Sequence, residues 1–356
     1  MKFDAIVGNP PYQLADGGYG ASAIALYPEF VELAKLLAPR YLSMVIPSRW
    51  LFGGRGLSAF RKAMLNDRRI RKLVDGFDSR AIFEHVDVAG GICYFVWHRD
   101  EEGECKVVEY DHSMNCSQAV RPLLENGLDV FIRSNRALSI LKKIVAVDCP
   151  RGQSANSISL PAHLRFDQGV SAQKPFGLRT FFRGTVDQKS QQDVLVIQSG
   201  GSGWTSRSAI TQASELVDKW KVFTGKSSNE HAGQVDKKGQ RRVLSRTGVI
   251  PPGSVVTESY IVLGAFDTRE EALNCLSYVC TQFFRFLLVT RSSGQDLARS
   301  AYGLVPIQDF TEAWTDQKLI QKYGLNSVEV QFIGQMIRPM GEVEVIQNFG
   351  QIFRLK

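Results

Sequence analysis

The stretch that most limits how this chain folds is FDAIVGNPPYQ, residues 3–13. A short apolar run, Phe3 to Val7, ends at Gly8-Asn9-Pro10-Pro11-Tyr12. Such a run bounded by Gly and Pro reads as a buried strand. Two consecutive prolines continue neither strand nor helix, and each restricts the residue before it. The chain therefore leaves its first strand through a stiff loop. Asn9 offers a side-chain acceptor, and Tyr12 offers a flat ring. Pro10 and Pro11 have carbonyls but no N–H. Two acceptors and a stacking plate suit a flat group bearing an amino substituent, such as the edge of an adenine. Acceptors on both amino hydrogens would expose the nitrogen lone pair for attack on an electrophilic methyl, with charge stabilised as it develops. The alternative reading of the same residues is an ordinary turn.

The following pattern alternates. Tyr27 to Leu37 reads as a helix with Phe30, Leu33, Ala34 and Leu37 on one face, ended by Pro39. YLSMVIPSRW (41–50) reads as a second buried strand, and Leu57 to Leu65 as a second amphipathic helix. IRKLVDGFD is a third strand and GGICYFVWH (90–98) a fourth, with CKVVEYD as its hairpin partner across an acidic turn. Strands alternating with helices indicate a parallel α/β sheet, here closed by an antiparallel edge.

At this point the residues resemble a known family. GNPPYQ after FDAIV is similar to the catalytic motif of the adenine-specific, exocyclic-amino DNA methyltransferases of bacterial restriction–modification systems. The segments LYPEFVELAKLLAPRYLSMVIPSRW, GGRGLSAFRKAMLNDRRIRKLVDGF and AIFEHVDVAGGICYFVWHRD resemble the family's following elements in order. The resemblance implies that Asn9 and the Pro10 carbonyl accept the amino hydrogens of a flipped adenine, with Pro11 stiffening the loop. It implies that Tyr12 stacks on one face of the base and that Phe83 faces the other. Phe30 matches an aromatic beside the adenine of S-adenosylmethionine, although its helical spacing also fits a core position. A base inside a duplex cannot reach a methyl donor in a pocket, so it must leave the stack.

The implied fold is α/β: a partial Rossmann-like methyltransferase sheet, followed by a mixed α+β target-recognition domain. The expected division is 1–115 for the catalytic-loop part, 116–150 for a connector, 151–340 for target recognition and 341–356 for a tail. The family's donor-binding strand and Gly-rich turn normally precede the motif, where only two residues stand before Phe3. The expectation is therefore that a second polypeptide supplies that half. A permuted Gly-rich turn is the other possibility, and VLVIQSGGSGW (194–204) is its candidate. No acidic residue ends the strand after it, so the stretch reads better as part of a recognition domain.

Composition bears on the partner. Net charge is +7, with a pI near 9.1, which favours a polyanion. Double-stranded DNA is the partner the resemblance implies. Its candidate contacts are Trp204, Ser206, Arg207 and Lys226, with Lys219 and Lys221 nearby, and Lys237, Lys238, Arg241 and Arg242 in KKGQRR. The basic run at 61–72 reads as a solvated face. Six scattered cysteines form no Cys-x-x-Cys pair and accompany no His cluster, so neither zinc nor a disulfide framework is expected. Asp193 and Glu230 are too isolated for metal chemistry, and His163 and His231 read as surface imidazoles. The apolar stretch Leu276 to Val289 is too short to span a bilayer. The chain reads as cytoplasmic: either a methyltransferase part, or a non-catalytic specificity subunit or remnant of one.

Overall fold

A computed structural model describes residues 3–13, 24–54, 56–76, 79, 83, 88, 90–111, 115–149, 157–228, 235–291, 296–341, 343–348 and 351–355. Residues 14–23, most of AIFEHVDV, Glu230 and His231 lie outside them. The chain divides into two compact units. The first comprises Met1–Lys142, Gly152–Ser159 and Thr290–Ser293, and the remainder forms the second.

In the first unit, β1 (Ala5–Gly8) is followed by α1 (Tyr27–Leu36), β2 (Tyr41–Pro47) and α2 (Ser58–Leu65). Next come β3 (Ile70–Gly76), β4 (Ile92–His98), β5 (Cys105–Tyr110) and β6 (Cys116–Arg121). Helix α3 (Asn135–Asp148) then carries the chain into the second unit after Lys142. Pro28 in the first turn of α1 is tolerated there, since its missing N–H has no intrahelical acceptor. The six strands form one sheet in the order β1-β2-β4-β3-β5-β6.

The sheet is mixed in a way that differs from the expected edge hairpin. Strand β4 lies between β2 and β3, antiparallel to both. Strand β5 pairs with β3 in parallel, and the hairpin is β5–β6. Apolar periodicity marks a strand but not its neighbour, and β4 reaches its place through the long connection after β3. The carboxyl ends of β1, β2, β3 and β5 consequently share one edge of the sheet with the amino end of β4.

The core lies on one face, where Val31 and Ala34 of α1 and Phe60 and Met64 of α2 pack with Leu42, Ile46, Leu73, Phe95 and Trp97. Helix α1 buries Tyr27, Val31 and Ala34. Of the face read from spacing, Ala34 enters this core, whereas Phe30, Leu33 and Leu37 are exposed, as is Leu36. At the opposite strand ends Asp67 accepts from Lys35 (2.8 Å), Arg69 (2.8 Å) and the Trp97 indole (2.9 Å). Arg71 donates to the Glu104 carbonyl at 2.7 Å, and the Lys72 ammonium stands 5.7 Å from the centre of the Tyr94 ring. Much of the basic run at 61–72 is thus occupied by local partners.

The second unit has a three-stranded sheet, ordered β11-β7-β8, from β7 (Val194–Gln198), β8 (Gly201–Thr205) and β11 (Ser254–Val256). A five-stranded sheet, ordered β12-β9-β10-β13-β14, contains β9 (Trp220–Gly225), β10 (Thr247–Ile250), β12 (Tyr260–Phe266), β13 (Val343–Asn348) and β14 (Gln351–Leu355). Among the described residues four α-helices follow: α4 (Arg269–Val279), α5 (Gln282–Arg291), α6 (Asp316–Tyr323) and α7 (Ser327–Met336).

The apolar stretch from Leu276 to Val289 is shared between two helices, α4 and α5, which meet at 62°. The break is chemically satisfied. The Thr281 hydroxyl accepts from the Phe284 N–H at 3.1 Å, and Asp316 accepts from the amides of Gln282 (3.0 Å) and Phe283 (2.9 Å). These acceptors serve the N–H groups that a new helix start leaves unpaired. Asp316 lies more than thirty residues away, so the local sequence does not announce the cap. No single described helix is long and apolar enough to cross a membrane.

Candidate base-binding site and DNA-facing residues

The Asn-Pro-Pro-Tyr loop sits where β1 ends. Register pairs Gly8 with Met44 of the parallel strand β2, so the loop opens beyond the carboxyl ends of adjacent parallel strands. Asn9 and Pro11 are exposed, Pro10 is buried and Tyr12 is half-buried. The Tyr12 carbonyl accepts from the Leu26 N–H at 3.2 Å, and Gln13 bridges Ala25, tying the loop to the entry of α1. Asn9 thus presents an open side chain on a backbone fixed at both ends.

Beneath this edge lies a buried polar cluster absent from the sequence reading. Asp75, near the end of β3, is fully buried. Arg133 grips its carboxylate with Nε (2.6 Å) and Nη2 (2.8 Å), and the Ser48 hydroxyl donates at 2.6 Å. The guanidinium carbon lies 5.2 Å from the centre of the Phe52 ring. Cys93 of β4 stands in register with both Ile46 and Asp75. Burial and the Asp75 charge push its thiol up to about 12. Burial and then Cys93 also raise the phenols of Tyr12 and Tyr27. The Tyr27 hydroxyl is buried without a hydrogen-bond partner among the described residues. The signal available in the sequence was an Asp and a Gly closing the otherwise apolar run of β3.

Phe83 is half-buried, and its N–H donates to the Ser79 carbonyl at 2.8 Å. The Ser79 hydroxyl accepts from the Val88 N–H at 2.8 Å. Ser79 therefore braces the connection between β3 and β4, which leaves the sheet at the same edge as the Asn9 loop. Phe30 is 41% exposed on α1, so it is not a core residue.

Glu109 of β5 is the register neighbour of Asp75. It accepts from the Asn135 N–H (2.8 Å) and the Ser134 hydroxyl (3.2 Å) at the start of α3. Burial pushes its carboxyl up to about 7 despite these donors, and the Asp75 charge adds to the rise. A folded-state value above the unfolded one, about 4.3, stabilises fully below that pH. The contribution is lost as pH rises through 7. Glu109→Gln is expected to flatten this part of the stability–pH curve. At pH 8 the variant should be more stable, by something on the order of 1–3 kcal/mol. Urea unfolding at pH 5 and pH 8 checks it, and parallel curves for the two proteins would contradict it.

In the second unit the sequence-predicted DNA residues differ in placement. Trp204 is half-buried in β8 and packs on the core that includes Phe176, Leu195 and Ile197. The Ser206 hydroxyl caps a short 3-10 turn, accepting from the Ser208 N–H at 3.3 Å. Arg207 forms a two-pronged pair with Asp218 at 2.8 and 2.6 Å. Lys226 stands 3.6 Å from Glu258. Lys237 and Lys238 are exposed on a turn where Asp236 accepts the amides of Lys238 (2.8 Å) and Gln240 (3.0 Å).

Two basic side chains belong to the interior. Arg241 is buried, and its backbone pairs with Met336 and Arg338. Lys221 is fully buried and donates to the carbonyls of Leu216, Val217 and Lys219 at 3.0, 2.8 and 2.6 Å. Burial pulls its ammonium down to about 7. Lys221 is thus no surface cation: β9 is covered on both faces, which one-dimensional composition does not reveal. Arg242 is partly buried, and its carbonyl accepts from Arg285 at 3.0 Å.

The Gly-rich stretch 198–204 forms an antiparallel hairpin, with Val194 opposite Thr205 and Gln198 opposite Gly201. Gly200 has φ +85°, as a tight two-residue connection requires. A hairpin is not the strand–turn–helix of a nucleotide cradle, so this stretch is no permuted donor turn. Among the described residues no group of three or more His, Cys, Asp or Glu could hold a metal ion. Asp193 accepts the amides of Lys189 (2.9 Å) and Ser190 (3.0 Å) and so closes a turn.

The fold and the loop define a class: an α/β unit that offers rigid acceptors and a stacking ring beyond the carboxyl end of a parallel strand. Residues 1–83 match the model of the Eco57I restriction-modification methylase family. The chain is also 38% identical over 107 residues to an uncharacterized adenine-specific methylase of Mycoplasma pneumoniae, covering 29% of this chain and 25% of that protein. In this segment it is therefore similar to adenine-specific methyltransferases of restriction–modification type, and it spans about a quarter of the curated relative. Among solved structures, the type IIL restriction-modification enzyme MmeI in complex with DNA aligns at 12% identity and TM-score 0.40, over 84% of this chain and 45% of that one. The type IIG restriction endonuclease BpuSI aligns at 12% identity and TM-score 0.34, over 91% and 49%.

Proposed function

We propose that this chain is the base-gripping and DNA-binding part of an adenine-specific DNA methyltransferase of a restriction–modification system, acting in the cytoplasm. The observation that carries the reading is the Asn9-Pro10-Pro11-Tyr12 loop, set beyond adjacent parallel strands inside the segment that matches a restriction-modification methylase family. Asn9 and the Pro10 carbonyl accept the two hydrogens of the 6-amino group of a flipped adenine. Tyr12 and Phe83 stack on its two faces and offset part of the stacking lost, at about 1–3 kcal/mol per base. The reaction would form a bond from the amino nitrogen to the donor's methyl carbon as that carbon's bond to the sulfonium sulfur breaks, with the thioether leaving and one amino proton released. S-adenosylmethionine supplies the electrophilic methyl when bound. Phe30, an exposed ring on α1, fits a contact to the adenine of that donor. The described residues hold no strand–Gly-turn–helix for the rest of it.

A second polypeptide carrying the donor-binding half completes this reading. Among the described strands β1 pairs with β2 alone, on one side. Val7 on β1 is 79% exposed, and Phe30, Leu33 and Leu36 stand open on α1. Open apolar side chains beside an unpaired strand edge favour association with another sheet. In the second unit, Lys237 and Lys238 are the assigned phosphate contacts, with Trp204, Ser206, Arg207, Lys226 and Arg242 bordering the DNA. The test is transfer of labelled methyl from S-adenosylmethionine to duplex DNA by the chain alone and with its upstream neighbour polypeptide. Transfer to adenine in the pair is expected. No transfer in either case, with both proteins folded, leaves a non-catalytic DNA-binding subunit.

A further inference from the structure

Residues 179–192 of the second unit place apolar side chains in the open among positive charges. Phe181 is 80% exposed and Val186 is 90% exposed. Arg179, Arg183 and Lys189 are exposed in the same segment; Arg179 stands 3.8 Å from Glu258, Asp193 accepts the Lys189 amide at 2.9 Å, and Asp187 is the acid within the segment. The neighbouring ring, Phe182, packs against the core around Phe176 and Leu195, so adjacent phenylalanines face inward and outward.

The segment is braced. The Phe182 N–H donates to the Arg179 carbonyl at 3.0 Å. Arg183 Nη1 donates to the carbonyls of Thr180 (2.9 Å) and Phe182 (2.7 Å). The Gly184 N–H donates to Gln198 Oε1 at 2.9 Å. Thr185 and Trp204 exchange backbone hydrogen bonds, both 2.8 Å. Gly184 crosses Gly203 so closely that a Cβ on Gly184 would lie 2.7 Å from the Gly203 carbonyl carbon. Two glycines thus let the segment lie directly on β8 and hold Phe181 outward on a fixed backbone.

We infer that segment 179–192 inserts into duplex DNA, with Phe181 as an apolar wedge between bases and Arg183 and Lys189 on the flanking phosphates. The inference rests on the DNA partner of the proposed function and adds the element that engages it. Wedges of this kind unstack a base step while neighbouring cations hold the backbone. Arg183 donates to backbone carbonyls rather than to an acid, and the chain as a whole carries a net charge of +7, which favours a polyanion over a protein face.

The experiment uses the full chain and fluorescent random-sequence duplexes of about 30 base pairs, titrated at several salt concentrations without S-adenosylmethionine. Phe181→Ala is expected to weaken binding about tenfold with the salt slope unchanged, and Phe181→Trp to restore it. Arg183→Ala with Lys189→Ala should lower the slope by about 2. Folding is checked by circular dichroism, and these exposed positions tolerate truncation. Phe181→Ala binding within about twofold of the parent overturns the wedge. A slope unmoved by the double variant overturns the phosphate contacts. No binding by the folded parent chain overturns the DNA partner itself, and with it the proposed function.

Discussion

Asn9→Ala is expected to lower methyl transfer by a factor of about 10²–10³ while duplex binding stays within about twofold, the range seen when one preorganised polar contact to a reacting group is removed. Asn9 is exposed, so truncation leaves no buried group unpaired. The loop keeps its shape because Pro10 and Pro11 restrict the backbone and Tyr12 is tied to Leu26. What disappears, on the proposed reading, is one of the two acceptors for the amino hydrogens. The remaining carbonyl holds the base in one direction only, and the nitrogen is less drawn toward the geometry of attack. Binding draws mainly on phosphate contacts, which this substitution does not touch. The measurement is the single-turnover transfer rate, taken with the proposed second polypeptide present, beside the duplex affinity. An equal loss in both would contradict the assigned role.

Asp75→Ala is expected to destabilise the first unit by about 3–5 kcal/mol, the usual cost of breaking a buried ion pair by removing one partner. The Arg133 guanidinium is buried and its Nε and Nη2 both reach this carboxylate. Removing Asp75 takes away the carboxylate that both guanidinium nitrogens hold and releases the Ser48 hydroxyl. A loss of this size corresponds to a fall in melting temperature of about 10 °C for a unit of roughly 150 residues. Replacing both partners, Asp75→Leu with Arg133→Met, should recover most of the stability, because the desolvated charges go together. Denaturant unfolding of the single and double variants decides it. A single variant as stable as the parent would show that the cluster is not held by charge. Because the cluster lies at the sheet edge that carries the Asn9 loop, the recovered double variant also separates stability from site shape. Its transfer rate then reports whether the cluster supports the base pocket.

The loop was legible because its restrictions are local. Proline geometry and the lack of N–H groups belong to Pro10 and Pro11 wherever the chain lies. The strands and most helices were legible for a similar reason, since burial imposes a period on the residues of each element. The misreadings came where a partner was distant. Thr281 looked internal to a helix until Asp316 supplied the cap for a second one. Lys221 looked like a surface cation until three carbonyls closed over it. Of Phe30, Leu33, Ala34 and Leu37, which share a face by spacing, only Ala34 joins Tyr27 and Val31 in the core. Apolar spacing identifies a face but not which of two faces the sheet covers.

What the sequence determined by itself was a strand running into an acceptor-bearing, ring-bearing loop that cannot relax, because steric limits on Asn9-Pro10-Pro11 act within a few bonds. What the tertiary structure decided was the company that loop keeps. Inserting β4 between β2 and β3 brings Cys93 beside Asp75, and the chain then returns Arg133 to the same carboxylate across 58 positions. A charge can be taken out of water only where a counter-charge arrives with it. That requirement is met by three-dimensional neighbours, so no local pattern of residues could announce it.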